Sequence, residues 1–206
     1  PMVDSHIANR ADVTVAALRV DTGAAAGQFG VMEIEPDWRI VGFEEKPTSP
    51  KPIPGDASHC LASMGIYVFS RKLLCQLLAA DHVNESSAHD FGKDIIPKLI
   101  HTHQVFAYQF GQQEGRVSAD RYWRDVGTID SYYEAHMDLL KTTPPLDIYQ
   151  RDWLIRTVEG QGPPARTVPG PSGQLSEIEN SMLNSGTEVR GASVSLGQFW
   201  VASRDK

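Results

Sequence analysis

Nine residues, Leu61-Ala-Ser-Met-Gly-Ile-Tyr-Val-Phe69, constrain the fold more than any other stretch. Ala62, Met64, Ile66 and Val68 fall on one face of a period-two pattern, and Ser63, Gly65, Tyr67 and Phe69 on the other. This predicts a strand whose second face has polar handles. The period then changes. From Arg71 to Ala80, Leu73, Leu74, Leu77 and Leu78 form one stripe at helical spacing. A strand feeding an amphipathic helix is the unit from which layered α/β domains are built.

The alternation continues on both sides of that unit. Met2, Val3, His6 and Ile7 have helical spacing from the first residue, which reads as the middle of a helix and predicts a chain cut from something longer. Asp12 to Val20 reads as a strand, and Thr22 to Gly27 as a mobile loop. Phe29 to Ile34 and Arg39 to Glu45 form a hairpin joined by Glu35-Pro36-Asp37-Trp38, whose Pro and Asp occupy favoured turn positions. Lys46-Pro47 ends it. Asp90-Phe91-Gly92 opens a helix from Lys93 to Ile100 with Ile95, Ile96, Leu99 and Ile100 apolar, and Pro97 fits only near its start or at a kink. Val105 to Phe110 is a further strand, Gln112 to Asp120 a polar loop, and Arg121 to Thr128 a strand that puts Trp123 and Asp125 on one face. Thr128 caps a helix with Ile129, Tyr132, Tyr133, His136, Leu139 and Leu140 on one side.

The last quarter differs in composition. Pro163, Pro164, Pro169 and Pro171 mark residues 157–174 as a linker. Beyond it, Leu183, Val189 and Val201 fall on a six-residue grid that faintly matches hexapeptide β-helix repeats.

Composition excludes some partners. The 206 residues are 41% hydrophobic and 22% charged, as in soluble globular proteins, and carry a net charge of -7. That balance argues against a nucleic-acid partner. No run is long enough for a membrane span, and there is no secretory leader pattern. Two cysteines without a CxxC pair point to a reduced, cytoplasmic chain, with Cys75 a buried thiol in its leucine-rich run.

Four clusters can carry chemistry. Glu44-Glu45-Lys46-Pro47 puts an ammonium beside carboxylates at a strand end, suited to a phosphate and hydroxyls, or simply a charged edge. Ser63 and Tyr67, four apart, offer two hydroxyls from one face, or are a packed Tyr with an incidental Ser. Asp90, with Phe91, precedes a helix and is accounted for by capping alone. Asp125 beside Trp123 is either a surface acid paired with Arg124 or Arg121, or a hard-oxygen ligand for a divalent metal. His101-Thr102-His103 reads as a surface turn. No glycine-rich phosphate loop and no nucleophile elbow is present.

The ordered motifs Gly30-Val31-Met32, Phe43-Glu44-Glu45-Lys46-Pro47, Ala62-Ser63-Met64-Gly65-Ile66-Tyr67-Val68-Phe69, His89-Asp90-Phe91-Gly92-Lys93-Asp94-Ile95-Ile96-Pro97 and Tyr122-Trp123-Arg124-Asp125-Val126-Gly127-Thr128 closely resemble the bacterial glucose-1-phosphate adenylyltransferases, or ADP-glucose pyrophosphorylases. Leu146-Asp147-Ile148-Tyr149 and Trp153-Leu154-Ile155-Arg156-Thr157 are similar to that family too. The resemblance covers roughly residues 1–195.

It implies a Rossmann-like nucleotidyltransferase domain followed by a left-handed β-helix. Residues 1–156 are then the C-terminal part of the first domain, 157–174 the linker and 175–206 the truncated start of the second. It implies ATP and glucose 1-phosphate as substrates, ADP-glucose and pyrophosphate as products, Mg²⁺ as cofactor and a homotetramer subject to allosteric control in glycogen synthesis. Carried over position by position, Lys46 holds the sugar phosphate and Glu45 the glucose hydroxyls, while Gly30, Ser63, Tyr67, Asp90, Phe91 and Trp123 line the sugar pocket. Asp125 is one of two metal-binding aspartates. The family's glycine-rich loop and second aspartate belong before Pro1, residues 198–206 depart from its pattern, and this stretch alone is expected to be inactive. Two alternatives stand beside this one: a non-catalytic regulatory subunit, and a nucleotidyltransferase for another sugar nucleotide.

Overall fold

A computed structural model describes residues 1–111, 122–146, 148–149, 151, 156 and 162–199. The chain divides into two compact units, Pro1–Glu114 and Gly115–Lys206.

The first unit is built on a five-stranded mixed sheet. Strand β1 (Val13–Asp21) is buried from Val13 to Ala17, as befits a strand covered on both faces. It pairs antiparallel with β4 (His59–Phe69) and parallel with β5 (Val105–Gln109). The hairpin of β2 (Gly30–Ile34) and β3 (Ile40–Glu45) joins through β2, giving the order β3-β2-β4-β1-β5. Its turn is where the sequence places it, closed by the Glu35 amide on the Arg39 carbonyl at 2.9 Å and by the Arg39 amide on the Asp37 carboxylate at 3.1 Å.

One face of this sheet, with Val13, Val15, Ala17, Met32, Ile40 and Leu61, packs on Ile95, Ile96, Leu99 and Ile100. These last four are the apolar residues predicted for a single helix. The chain there forms a π-helical turn (Phe91–Ile95) that passes into a short α-helix (Ile96–Leu99), with Pro97 in the first turn where its missing N–H costs nothing. The opposite face carries Ala25, Val31 and Cys60. It is partly covered by α1 (Met2–Ala8), whose His6 Nδ1 is 2.8 Å from the buried Thr14 hydroxyl. Residues 22–27 differ from the predicted loop. Asp21 accepts from the Gly23 and Ala24 amides and caps one helical turn, α2 (Thr22–Ala25).

Helix α3 (Arg71–His82) rests on the core through Leu73 and Leu77 alone, while Leu78 is exposed. The predicted burial of Cys75 is overturned: it is exposed, two residues round from Leu73 and so off the packed side, and Cys60 is the buried thiol.

Strand β4 also departs from strict alternation. Val15 pairs with Tyr67 and Ala17 with Ser63, so residues 64–66 stand opposite Ala16 alone. This is a bulge, with Gly65 at φ 68°. Met64 is buried and Ile66 is 47% exposed, so the expected common face of Ala62, Met64, Ile66 and Val68 is broken. Ser63 and Tyr67 still share a face, because their partners Ala17 and Val15 do.

In the second unit, residues 122–127 form no ladder, which corrects the predicted strand there; Arg121 lies outside the described residues. Helix α4 (Ile129–Asp138) is capped by Thr128, whose hydroxyl accepts from the Ser131 amide at 3.1 Å. Its predicted apolar face is also corrected: Ile129, Tyr132 and Tyr133 are exposed, and the buried residues near its end are Asp138 and Leu140.

Six short strands follow: β6 (Arg166–Val168), β7 (Glu177–Glu179), β8 (Met182–Leu183), β9 (Glu188–Arg190), β10 (Ser193–Ser195) and β11 (Gln198–Phe199). Each pairs in parallel with the strand three places on: β6 with β9, β7 with β10, β8 with β11. Strand β6 lies inside the stretch expected to be a linker. Of the six-residue grid, Val189 is buried, Leu183 is half-buried and Val201 lies outside the described residues. Among the described residues no helix is long and apolar enough to cross a membrane.

Candidate functional site

Antiparallel register of β2 and β3 sets Gly30 beside Glu45. A Cβ on Gly30 would lie 2.8 Å from Glu45 Oε2 and 2.8 Å from Phe43 Cζ. A Cβ on Gly92, in the π-helical turn, would lie 2.7 Å from that same Oε2. Glu45 therefore seats its carboxylate in a slot that exists only because both neighbours lack a side chain. Sequence reasoning left Gly92 without a role; the only signal was its place in the Asp90-Phe91-Gly92 run.

Asp90 behaves as a cap, its Oδ1 accepting from the Gly92 amide at 2.8 Å and the Lys93 amide at 2.9 Å. Both bonds use one oxygen, so capping and a second task for the carboxylate are compatible. Phe91 stacks on Tyr67 with ring centroids 5.5 Å apart and an interplanar angle of 29°, and Phe69 completes the aromatic group. Burial raises the Tyr67 phenol above its ordinary range; a hydrogen bond with Ser63 opposes this, and the charges of Glu45 and Asp90 add to it. The phenol stays protonated at neutral pH as a donor.

The structure thus brings Gly30, Glu45, Ser63, Tyr67, Asp90 and Phe91 together at one end of the sheet. Lys46 follows directly as the first residue beyond β3, exposed, in a left-handed backbone conformation at φ 51°. Its amide donates to the Phe29 carbonyl at 3.1 Å. Its ammonium makes no ion pair among the described residues. A separate cleft of about 280 Å³ is lined by Glu33, Gly42, Glu44, Lys51, Pro97 and His101 among others, and includes none of this group. Its lysine is bonded to Glu33 at 2.7 Å, so the convergent groups, not the cleft, mark the candidate site in this unit.

Trp123 and Asp125 belong to the second unit. Their segment is tied to α4 by side chains. The Tyr122 hydroxyl donates to Asp138 Oδ2 at 3.0 Å, and Arg124 donates to it through Nε at 2.9 Å and Nη2 at 2.6 Å. Lys141 pairs with Oδ1 at 2.5 Å. The four-way bonding explains how Asp138 can be 3% exposed and ionised. Lys141 first, then Arg124 and Tyr122, hold its carboxyl below the usual carboxylate range against the opposing effect of burial.

Arg124 is thus committed to Asp138, with Glu134 3.8 Å away, which removes it as the surface partner considered for Asp125. Asp125 is exposed and folds over Gly127, where a Cβ would meet its Oδ2 at 3.2 Å. No group of three or more His, Cys, Asp or Glu able to hold a metal occurs among the described residues. A single exposed carboxylate of this kind fits Mg²⁺ shared with phosphates and water, not a cage built by protein alone.

A family model described as nucleotidyl transferase matches residues 1–142. Glucose-1-phosphate adenylyltransferase 2 of Vibrio vulnificus is 53% identical over 194 residues, covering 94% of this chain and 48% of that protein. Glucose-1-phosphate adenylyltransferase 2 of Vibrio cholerae is 50% identical over 193 residues, 94% and 47%. The Thermus thermophilus glucose-1-phosphate adenylyltransferase is 45% identical over 196 residues, again 94% and 47%. The chain spans about half the length of the curated relatives it matches.

Proposed function

Because this chain belongs to the nucleotidyl transferase family, we propose that it supplies the sugar-phosphate side of an ADP-glucose-forming enzyme. The observation that carries this reading is the Glu45 carboxylate seated between Gly30 and Gly92 beside Tyr67, with the Lys46 ammonium next along the chain. A carboxylate accepts hydroxyl protons and an ammonium pairs with a phosphate, so the two adjacent residues match the two ends of glucose 1-phosphate. Ser63 and Tyr67 offer further hydroxyls, Asp90 an acceptor, and Phe91 an apolar face for the ring.

In the reaction a phosphate oxygen of glucose 1-phosphate attacks the α-phosphorus of ATP. One P–O bond forms, the bond to the β-phosphate oxygen breaks, and pyrophosphate leaves with the electron pair. No redox change occurs and no proton shuttle is needed, so positioning and charge neutralisation dominate. Bound Mg²⁺ would supply neutralisation of phosphate charge, with Asp125 as one of its carboxylates. Lys46 orients the attacking phosphate.

The three parallel strand pairs of the second unit support the finer reading of a left-handed β-helix beginning here. A cytoplasmic homotetramer is part of the same proposal, and a place in glycogen synthesis is supported by the likeness to the named relatives.

Lys46→Ala in the intact protein tests it. Losing a charged hydrogen bond of about 1.5–3 kcal/mol is expected to raise the KM for glucose 1-phosphate roughly 10- to 100-fold and to leave that for ATP within about a factor of two. An unchanged sugar KM would sink the role given to Lys46.

A further inference from the structure

The buried carboxylate of Asp138 has no part in the reaction as derived, yet it is the most heavily bonded acid among the described residues of the second unit. It lies at the end of α4, 3% exposed, and two of its partners, Tyr122 and Arg124, alternate with Trp123 and Asp125 along a segment that has no ladder of its own. Residues 123 and 125 each follow an anchored residue directly along the chain. Anchoring residues 122 and 124 to a fixed carboxylate therefore sets the direction in which 123 and 125 are presented. The Arg124 contact uses two guanidinium nitrogens on one oxygen, which restrains orientation as well as distance. The Tyr122 ring also lies 5.8 Å from the Arg124 guanidinium, so the anchors brace each other.

We propose that Asp138 is a positioning residue that acts through Arg124 and Tyr122 to aim the Asp125 carboxylate at the metal it shares with the nucleotide phosphates. This rests on the reading of Asp125 as a metal carboxylate. Lys141 bonds the oxygen of Asp138 opposite the one that holds Tyr122 and Arg124, which provides an internal control.

Mn²⁺, titrated into the intact protein with ADP-glucose bound and followed by electron paramagnetic resonance, is the probe. Asp125→Asn is expected to abolish the protein-dependent binding. Asp138→Asn is expected to weaken it roughly 10-fold or more with Asp125 intact, as for groups that orient a metal ligand. Arg124→Lys keeps the charge, loses the fork and should weaken Mn²⁺ in the same direction, and it carries the test if Asp138→Asn does not fold. Lys141→Met should leave Mn²⁺ affinity unchanged whatever it does to Tm.

If Asp125→Asn binds Mn²⁺ like the wild type, the ligand reading itself falls, and this proposal with it. If Asp125→Asn loses binding but Asp138→Asn and Arg124→Lys retain it, the ligand reading stands and the positioning role is wrong. A loss in Lys141→Met equal to that in Arg124→Lys marks general destabilisation and also overturns the proposal.

Discussion

Glu45 and the two glycines around it give the sharpest handle on function at the scale of single residues. In Gly92→Ala the new methyl would sit 2.7 Å from Glu45 Oε2, the free end of a flexible side chain, so the carboxylate moves and the backbone need not. Binding is then expected to suffer while folding does not: a KM for glucose 1-phosphate raised about 10-fold, and a Tm changed by no more than about 2 °C, since helical alanine is if anything preferred to glycine. Steady-state kinetics and a thermal melt on one preparation check both halves. A fall in Tm with normal KM would show that Gly92 serves packing only. Glu45 and Lys46 were legible in the sequence as charged residues at a strand end. The slot that holds Glu45 was not, because it depends on an approach between residues 30, 45 and 92 that no local pattern records.

At the scale of elements, side-chain bonds decide what periodicity misjudged. The alternation in residues 121–128 predicted a strand, but Tyr122 and Arg124 are ordered by Asp138, fourteen residues or more downstream, and a strand with no partner strand has no ladder. The same carboxylate explains why the apolar stripe of α4 failed as a guide to burial: the end of the helix buries an acid whose charge is met by Lys141, Arg124 and Tyr122. Strand β4 was found correctly because its alternation is long, and its bulge was not, since three residues against one requires knowledge of Ala16.

A pH dependence follows from Asp138. Its folded-state carboxyl is held below the ordinary value by Lys141, Arg124 and Tyr122, so the ionised form stabilises the fold. That contribution is complete above the unfolded value near about pH 4 and is lost as pH falls through the lower folded value. Melting curves from pH 7 to pH 3 should show a declining acid limb in the wild type, and Asp138→Asn should lower Tm at pH 7 while flattening that limb. An unchanged limb in the variant would exclude Asp138 as its source.

On the scale of the molecule, the two units are ordered by different means. The first has a sheet with apolar cover on both faces, and α1, α3 and the hairpin were readable because their periods are local. The second is held by parallel pairs between strands of two or three residues, too short to carry a period, which is why the sequence left only a faint six-residue grid. Val189 is a buried apolar anchor of these strands, and the Ser176 hydroxyl donates to the Val168 and Val189 carbonyls at 3.1 and 3.0 Å around it. Val189→Asp places an unpaired charge there at a cost of at least about 3 kcal/mol. Hydrogen exchange should speed about 100-fold or more at the amides of β6 and β9 and stay unchanged in β1. Equal loss of protection in both units would mean that they unfold as one.

The backbone at Lys46 has a further consequence. A lysine at φ 51° occupies a region that glycine enters freely and other side chains enter at a cost of order 1 kcal/mol. Selection for heat resistance alone would push this position toward glycine or asparagine, and, under the role proposed for Lys46 at the sugar phosphate, selection for turnover would push it back. On that proposal, position 46 is where a library screened only by melting temperature would quietly discard its sugar-phosphate binders.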